Sequence, residues 1–275
     1  MVILAFIFIG DKIMNKTALI TGASNGIGKE LAIIHAKNKG NLVLVARREN
    51  LLQELKTELE QKYSISVTII AKDLSLRNAA KEIFDEVNAK GIQIDYLINN
   101  AGFGGYGKFH ERSIEDDISM IDVNIVALTM LTKYFLPEMV KRNSGKILNV
   151  ASTAAFMPGP LMAVYFATKA FVISLSQAIA EELSDSNVTV TALCPGPTET
   201  GFAKKANVED TDLFKHSAAA AVVAQKGYNA MLKGKMVIIT DGPQKFMIKA
   251  LIPFAPQKMV LKQVRRMQEK KVPSF

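Results

Sequence analysis

Tyr165 and Lys169 stand four residues apart in Ala163-Val164-Tyr165-Phe166-Ala167-Thr168-Lys169. On a helix that spacing places both side chains on one face, one turn apart. A tyrosine ordinarily titrates near about 10. A neighbouring ammonium favours the phenolate, so the pair predicts a phenol pKa drawn down toward operating pH. Such a phenol gives a proton to a carbonyl oxygen in reduction or takes one from an alcohol in oxidation. The pair alone does not define a site, because most Tyr-x3-Lys pairs are surface helix neighbours.

A second constellation lies near the N-terminus, in Thr21-Gly22-Ala23-Ser24-Asn25-Gly26-Ile27-Gly28. It follows a strand-like run and opens a helix-like one. Gly22 allows a tight turn, Gly26 lets backbone approach a pyrophosphate, and Gly28 lets helix and strand pack closely, with the helix N-terminus facing the anion. No Gly-Lys-Ser/Thr closes the loop, so it is not an ATPase phosphate loop. About 20 residues further on, where an acid would bind a ribose 2′-hydroxyl, stand Arg47 and Arg48. Guanidinium groups suit a 2′-phosphate and point to NADP(H).

These groups need a scaffold. Apolar, β-rich runs occur at Thr17–Thr21, Leu42–Ala46, Ser66–Ala71, Tyr96–Asn99, Lys146–Ala151, Val188–Leu193 and Lys235–Thr240. Helix-like stretches alternate with them near 26–39, 49–62, 76–89, 113–142, 162–184 and 217–233. The alternation predicts an α/β fold, a doubly wound parallel sheet of about seven strands in a single domain. Residues 198–216 break the rhythm after a Pro-Gly-Pro and read as a substrate lid.

The chain has 275 residues, 49% hydrophobic and 22% charged. That suits one large globular domain and excludes a disordered or collagenous chain. One cysteine, Cys194, permits no internal disulfide, and the three histidines do not pair at metal-ligand spacing, so no metal is expected. The formal net charge is +8, of which residues 244–275 carry +7. Basicity confined to one appendage argues against a nucleic-acid enzyme. Residues 257–271 read as a helix with Val260, Leu261, Val264 and Met267 along one stripe. That stripe and its basic flanks suit an anionic membrane surface or an acidic partner. They equally suit packing on the enzyme's own rim or on another subunit. Three segments follow: an N-terminal extension 1–13, a main domain 14–242 and a basic tail 243–275. A cytoplasmic location is expected, with membrane association through the tail as an extension of it.

Over about residues 16–240 the chain resembles the short-chain dehydrogenase/reductase family, in its generalist NADP-type branch. Ser152 stands thirteen residues before Tyr165, at the end of Asn149-Val150-Ala151-Ser152. Asn99–Gly102 match the Asn-Asn-Ala-Gly after the fourth strand, Asn124 the asparagine of the next long helix, and Asp73 the aspartate after the third strand. Pro195, Gly196 and Thr200 match the segment after the sixth. Ala127 occupies a place where a glycine is frequent.

The resemblance implies a Rossmann-type fold and a catalytic set of Asn124, Ser152, Tyr165 and Lys169. In it Ser152 polarises the carbonyl, Tyr165 is the acid/base, Lys169 lowers its pKa and binds the nicotinamide ribose, and Asn124 holds a relay water behind the lysine. It implies cofactor contacts from Gly22, Ser24, Asn25, Gly26, Ile27 and Gly28, and from Asp73 and Leu74 at the adenine side. Asn99, Ala101 and Gly102, then Pro195, Gly196, Thr198 and Thr200, continue toward the nicotinamide, where Tyr165 and Lys169 complete the set. The expected function is NADP(H)-dependent hydride transfer between nicotinamide and a small-molecule ketone, aldehyde or 3-oxoacyl substrate. The alternatives are a non-catalytic nicotinamide-binding regulator and a membrane-recruited interaction protein. Met130, Leu131, Phe135, Phe171, Ile173 and Leu175 exceed what one sheet face covers, and a homodimer or homotetramer is expected. His35 reads as a packed structural residue, Cys194 as a small hydrophobe, and His110 and His216 as candidates for approach to substrate.

Overall fold

The computed structural model describes residues 13–211 and 217–269. The expected extension lies outside these residues except for Ile13, which is buried in the core. His216 and the last part of the expected lid also lie outside, as do Lys270 and Lys271.

Seven strands form one parallel sheet: β1 (Thr17–Thr21), β2 (Asn41–Ala46), β3 (Val67–Ala71), β4 (Tyr96–Asn99), β5 (Gly145–Val150), β6 (Val188–Cys194) and β7 (Val237–Ile239). Their order is β3-β2-β1-β4-β5-β6-β7, with Ala18 opposite Leu42 on one side and Tyr96 on the other. This is the doubly wound Rossmann-type arrangement, and its order reverses beside β1 and β4. Ligand crevices form outside the strands' carboxyl ends at such a switch point.

The helices are α1 (Gly26–Lys37), α2 (Glu49–Tyr63), α3 (Ala79–Ala89), α4 (Ile114–Ile121), α5 (Leu128–Lys141) and α6 (Ala163–Glu182). They continue with α7 (Phe202–Ala206), α8 (Ala220–Leu232), α9 (Gly242–Phe246) and α10 (Gln257–Gln268). Alternate strand residues face opposite layers. Ala18 and Ile20 meet Leu31 of α1, Leu52 of α2 and Tyr228 of α8. Leu19 between them meets Ile83 of α3 and Phe135 of α5. Burial on both faces is why the strands read as near-continuous apolar runs.

The stretch 113–142 is not one regular helix. Between α4 and α5, residues Asp122–Ala127 form a π-helical segment centred on Asn124. π-segments of this kind cluster at functional sites. Residues Ile114–Lys141 and α6 are long and apolar enough to cross a membrane on length and composition alone. Here they cover the sheet: Leu131, Phe135 and Ile173 are buried within this chain, whereas Phe171 is exposed. Part of the apolar surplus assigned to subunit contacts is therefore core.

Candidate active site

The loops after β1 to β6 open on one cavity of about 1170 Å³. Single-ligand pockets commonly run ~300–1,000 Å³, so there is room for two ligands side by side.

One half is the glycine loop. Gly22 has φ +65°, and a Cβ there would come within 2.8 Å of Asn100 Nδ2. Asn100 clamps the loop: its Nδ2 donates to Thr21 O at 2.9 Å, and its backbone N–H donates to Thr21 Oγ1 at 3.0 Å. Ser24, Asn25, Gly26 and Ile27 line the cavity. Gly28 does not. A Cβ on it would sit 2.4 Å from Gly22 O, so it serves helix–strand packing rather than contact with a ligand. Asn99 is a second correction. It is buried and donates to Thr132 Oγ1 at 3.1 Å and Asn149 Oδ1 at 2.9 Å. Its neighbours Asn100, Ala101 and Gly102 line the cavity instead.

Arg47 and Arg48 stand exposed at the rim beyond β2. Arg48 donates to Ser24 Oγ at 3.2 Å, and Arg47 lies 3.8 Å from Asp73 Oδ2. Burial of Asp73 favours its neutral form. Hydrogen bonds from the Ser75 backbone and hydroxyl, with Arg47 and Lys205 nearby, outweigh it and hold the carboxyl below its usual range. Leu74 lines the wall beside it.

The other half carries the reactive groups. Ser152 follows β5, and its Oγ accepts from Ala154 N at 3.1 Å. Tyr165 and Lys169 occupy the first turns of α6, both buried. Lys169 Nζ donates to Val150 O at 2.8 Å and lies 5.9 Å from the Tyr165 ring centroid. The phenol is not drawn down as its spacing from Lys169 suggested. Burial pushes Tyr165 up to about 12, against a downward pull from the adjacent Ser152 hydroxyl. Burial also pushes Lys169 down to about 8. Desolvation penalises both charged forms and here exceeds the pair's mutual effect.

Asn124 lies behind this group, outside the cavity lining. Its Oδ1 accepts from Phe103 N at 3.1 Å, and its Nδ2 donates to Phe103 O at 2.9 Å and Thr168 Oγ1 at 3.0 Å. A Cβ on Gly102 would lie 3.1 Å from Asn124 Oδ1 and 3.2 Å from Lys169 Nζ. Asn124 thus ties the loop after β4 to the turn of α6 that carries Tyr165 and Lys169.

Pro195, Gly196, Thr198 and Thr200 line the cavity after β6. In the segment read as a lid, Thr198–Glu199 pairs with Ala218–Ala219, and α7 follows Glu199. Thr200 covers the glycine loop, where a Cβ on Gly26 would meet its Cγ2 at 2.8 Å. Phe202 sets its ring 5.1 Å from that of Tyr165.

Two contributions had no motif to announce them. Lys205 of α7, an exposed residue, lies 3.9 Å from the Phe103 ring centroid. Burial and the nearby Arg47 lower its pKa while Asp73 opposes them. The tail helix α10 lines the cavity with Val260, Val264 and Gln268, and Val264 clusters with Met120, Tyr165 and Phe166. The apolar stripe thus faces the enzyme's own site. His110 is exposed beside Glu111, outside the cavity lining. Cys194 is a buried free thiol.

A family model described as short chain dehydrogenase matches residues 16–211. An NADP-dependent 3-hydroxy acid dehydrogenase of Schizosaccharomyces pombe is 36% identical over 194 residues, covering 70% of this chain and 75% of that protein. A very-long-chain 3-oxoacyl-CoA reductase of Rattus norvegicus is 32% identical over 203 residues, 72% of this chain and 64% of that one. A short-chain dehydrogenase from Sphingobium yanoikuyae, solved with NADPH, superposes with a TM-score of 0.77 at 29% identity. That match covers 88% of this chain and 99% of the other.

Proposed function

The chain belongs to the short-chain dehydrogenase/reductase family of oxidoreductases, and from that premise we propose that it reduces a ketone, aldehyde or 3-oxoacyl carbonyl with NADP(H). One observation carries the reading. Ser152, Tyr165 and Lys169 share a single cavity with the Gly22–Ile27 loop and the Arg47–Arg48 rim.

These residues fit the cofactor. Gly22 and Gly26 have positive φ, so side chains there would be strained as well as crowded. The exposed guanidiniums suit a 2′-phosphate and, with no acid in the Ala46-Arg47-Arg48 segment, disfavour a bare ribose diol. NADPH, when bound, supplies the hydride. The Ser152 hydroxyl donates to the carbonyl oxygen and stabilises charge developing there. Tyr165, held protonated by burial, gives its proton to that oxygen as the alcohol forms. Lys169 provides positive charge beside the phenol, and Asn124 holds the loop that backs the lysine.

The same reading includes a cytoplasmic enzyme acting on a small-molecule substrate as a homodimer or homotetramer. The exposed Ile118 of α4 and Phe171 of α6 support subunit contact. The outer face of the tail is available to an anionic membrane. The deciding experiment follows NADPH consumption over a panel of ketones, aldehydes and 3-oxoacyl thioesters, with Tyr165→Phe alongside. The variant is expected to bind NADPH normally and lose about 10²–10⁴-fold in turnover. Turnover above a tenth of the parent's would refute the assignment. A monomer by light scattering at micromolar concentration would refute the assembly.

A further inference from the structure

α10 brings to the cavity a polar group that the reduction does not use. Val260, Val264 and Met267 line the cavity at helical spacing, and Gln268 closes the stripe as the last helical residue. Gln268 is only 2% exposed and also lines the cavity. Its Oε1 is buried with no hydrogen-bond partner among the described residues. Buried polar atoms in native proteins are nearly always paired, and an orphan on a side chain that lines a ligand cavity finds its partner when that side chain turns to meet a donor on the ligand. Gln244 and Gln263 also border the cavity, and the wall is otherwise largely apolar here, from Met157, Met162 and Phe202 on the site's side to Met247, Leu251 and Ile252 on the tail's. Such a wall takes apolar surface from water, while a buried polar group selects for orientation.

We propose that Gln268 is a specificity-determining binding residue. It selects elongated, largely apolar ketones that carry an O–H or N–H donor remote from the reacting carbonyl. The inference rests on the carbonyl-reductase reading and deepens it by naming a substrate class. Val264 shares a buried cluster with Tyr165, which places the helix that carries Gln268 beside the reacting end of the site. A site built to hydrogen-bond a substrate donor discriminates against analogues lacking it, because its own polar group is then left unpaired.

The test uses the full-length protein with NADP⁺ and matched probes, read by calorimetry so that turnover is not required. ω-Hydroxy-2-alkanones are compared with the corresponding 2-alkanones over a range of chain lengths. In a second arm, N-acetylcysteamine thioesters of 3-oxo acids are compared with butyl thioesters. A gap in the first arm assigns a hydroxyl donor; one in the second assigns an amide N–H.

The expected result is binding tighter by about tenfold for the donor-bearing member in at least one arm. Gln268→Leu removes that gap and raises KM for the donor-bearing ketone. Absence of a gap in the parent at every length, or its survival in a folded Gln268→Leu, overturns the proposal. Gln268→Ala also removes the acceptor, without leucine's branched bulk, and is expected to lose the gap as well, and survival of the gap in it overturns the proposal if the leucine variant misfolds. A binding gap without any carbonyl turnover would sink the reductase reading alone. Turnover without a gap would sink this one alone.

Discussion

Lys169 Nζ lies 5.9 Å from the ring centroid of Tyr165, and it donates its hydrogen bond to Val150 O rather than to the phenol. The two groups titrate in the order that favours reduction. Tyr165 stays protonated, pushed up to about 12 by burial, while Lys169 is pushed down to about 8 by its own burial. Carbonyl reduction is therefore expected to be level through neutral pH and to fall as pH rises past about 8, where the ammonium is lost. Alcohol oxidation needs a phenolate and is expected to rise with pH instead. Lys169→Arg keeps a cation that does not deprotonate in this range, so any remaining reductase activity should lose its alkaline break. Initial rates from neutral pH to about 10 check this, and reduction that climbs with pH in the parent would contradict it.

What was legible in the sequence is what local pattern controls. The apolar strand runs and the order of elements follow from periodicity, and the glycine loop from steric need at Gly22 and Gly26. The Tyr165–Lys169 pair follows from helical spacing. What was not legible depends on long-range placement. Asn99 and Asn100 are adjacent and alike, but strand alternation turns Asn99 toward Thr132 and leaves Asn100 to clamp the glycine loop. A charge-pair rule for Tyr165 omits desolvation, which only the packed site supplies. The stripe on residues 257–271 was visible, but not the surface it covers. Val264 shares a buried cluster with Tyr165 across about 100 residues of chain, and no local signal encodes that proximity.

Arg47 and Arg48 are expected to set cofactor choice. Arg47→Gln with Arg48→Gln should weaken NADPH binding by about tenfold or more, given ordinary charge-assisted contacts at an exposed rim. NADH affinity should change little, because the glycine loop is untouched. Fluorescence titration with both cofactors measures the two constants. An unchanged NADPH to NADH ratio would remove the arginines from recognition.

His35 should impose an acid limit on stability. It is buried, with Nε2 2.9 Å from Lys16 O and Nδ1 2.7 Å from Tyr228 Oη. A neutral ring satisfies both contacts, with Nε2–H donating to the carbonyl and Nδ1 accepting from the tyrosine. Burial lowers its pKa from 6.5 to about 4. The unfolded chain takes up the proton more readily, so this stabilisation is complete above about pH 6.5 and is lost as pH falls through about 4. At about 1.4 kcal/mol per unit the loss approaches ~3 kcal/mol. Urea melts of parent and His35→Leu across that window should show a flatter acid limb for the variant. Equal slopes would mean that His35 does not carry the effect.

The outer face of the tail makes the last prediction. The inward stripe is occupied by the protein's own site, so membrane contact must use other residues. Phe254 is 85% exposed, and Phe246 is also exposed. Lys245, Lys249 and Lys258 lie close to them in sequence, and Arg265 and Arg266 sit on exposed positions of α10. An apolar knuckle among cations suits an anionic lipid surface, where each basic residue near the headgroups is worth about 1 kcal/mol. Co-sedimentation is expected with vesicles containing phosphatidylserine and not with phosphatidylcholine alone, and it should weaken with added salt. Phe254→Ser should reduce binding while leaving turnover of a small aldehyde unchanged, because Phe254 does not line the cavity. Truncation after Gly242 should behave differently. It removes Val264 and the tail's share of the cavity wall along with the exposed knuckle, so substrate affinity and vesicle binding should fall together. If the parent fails to sediment with anionic vesicles at low salt, the tail is a wall of the site and not a membrane contact.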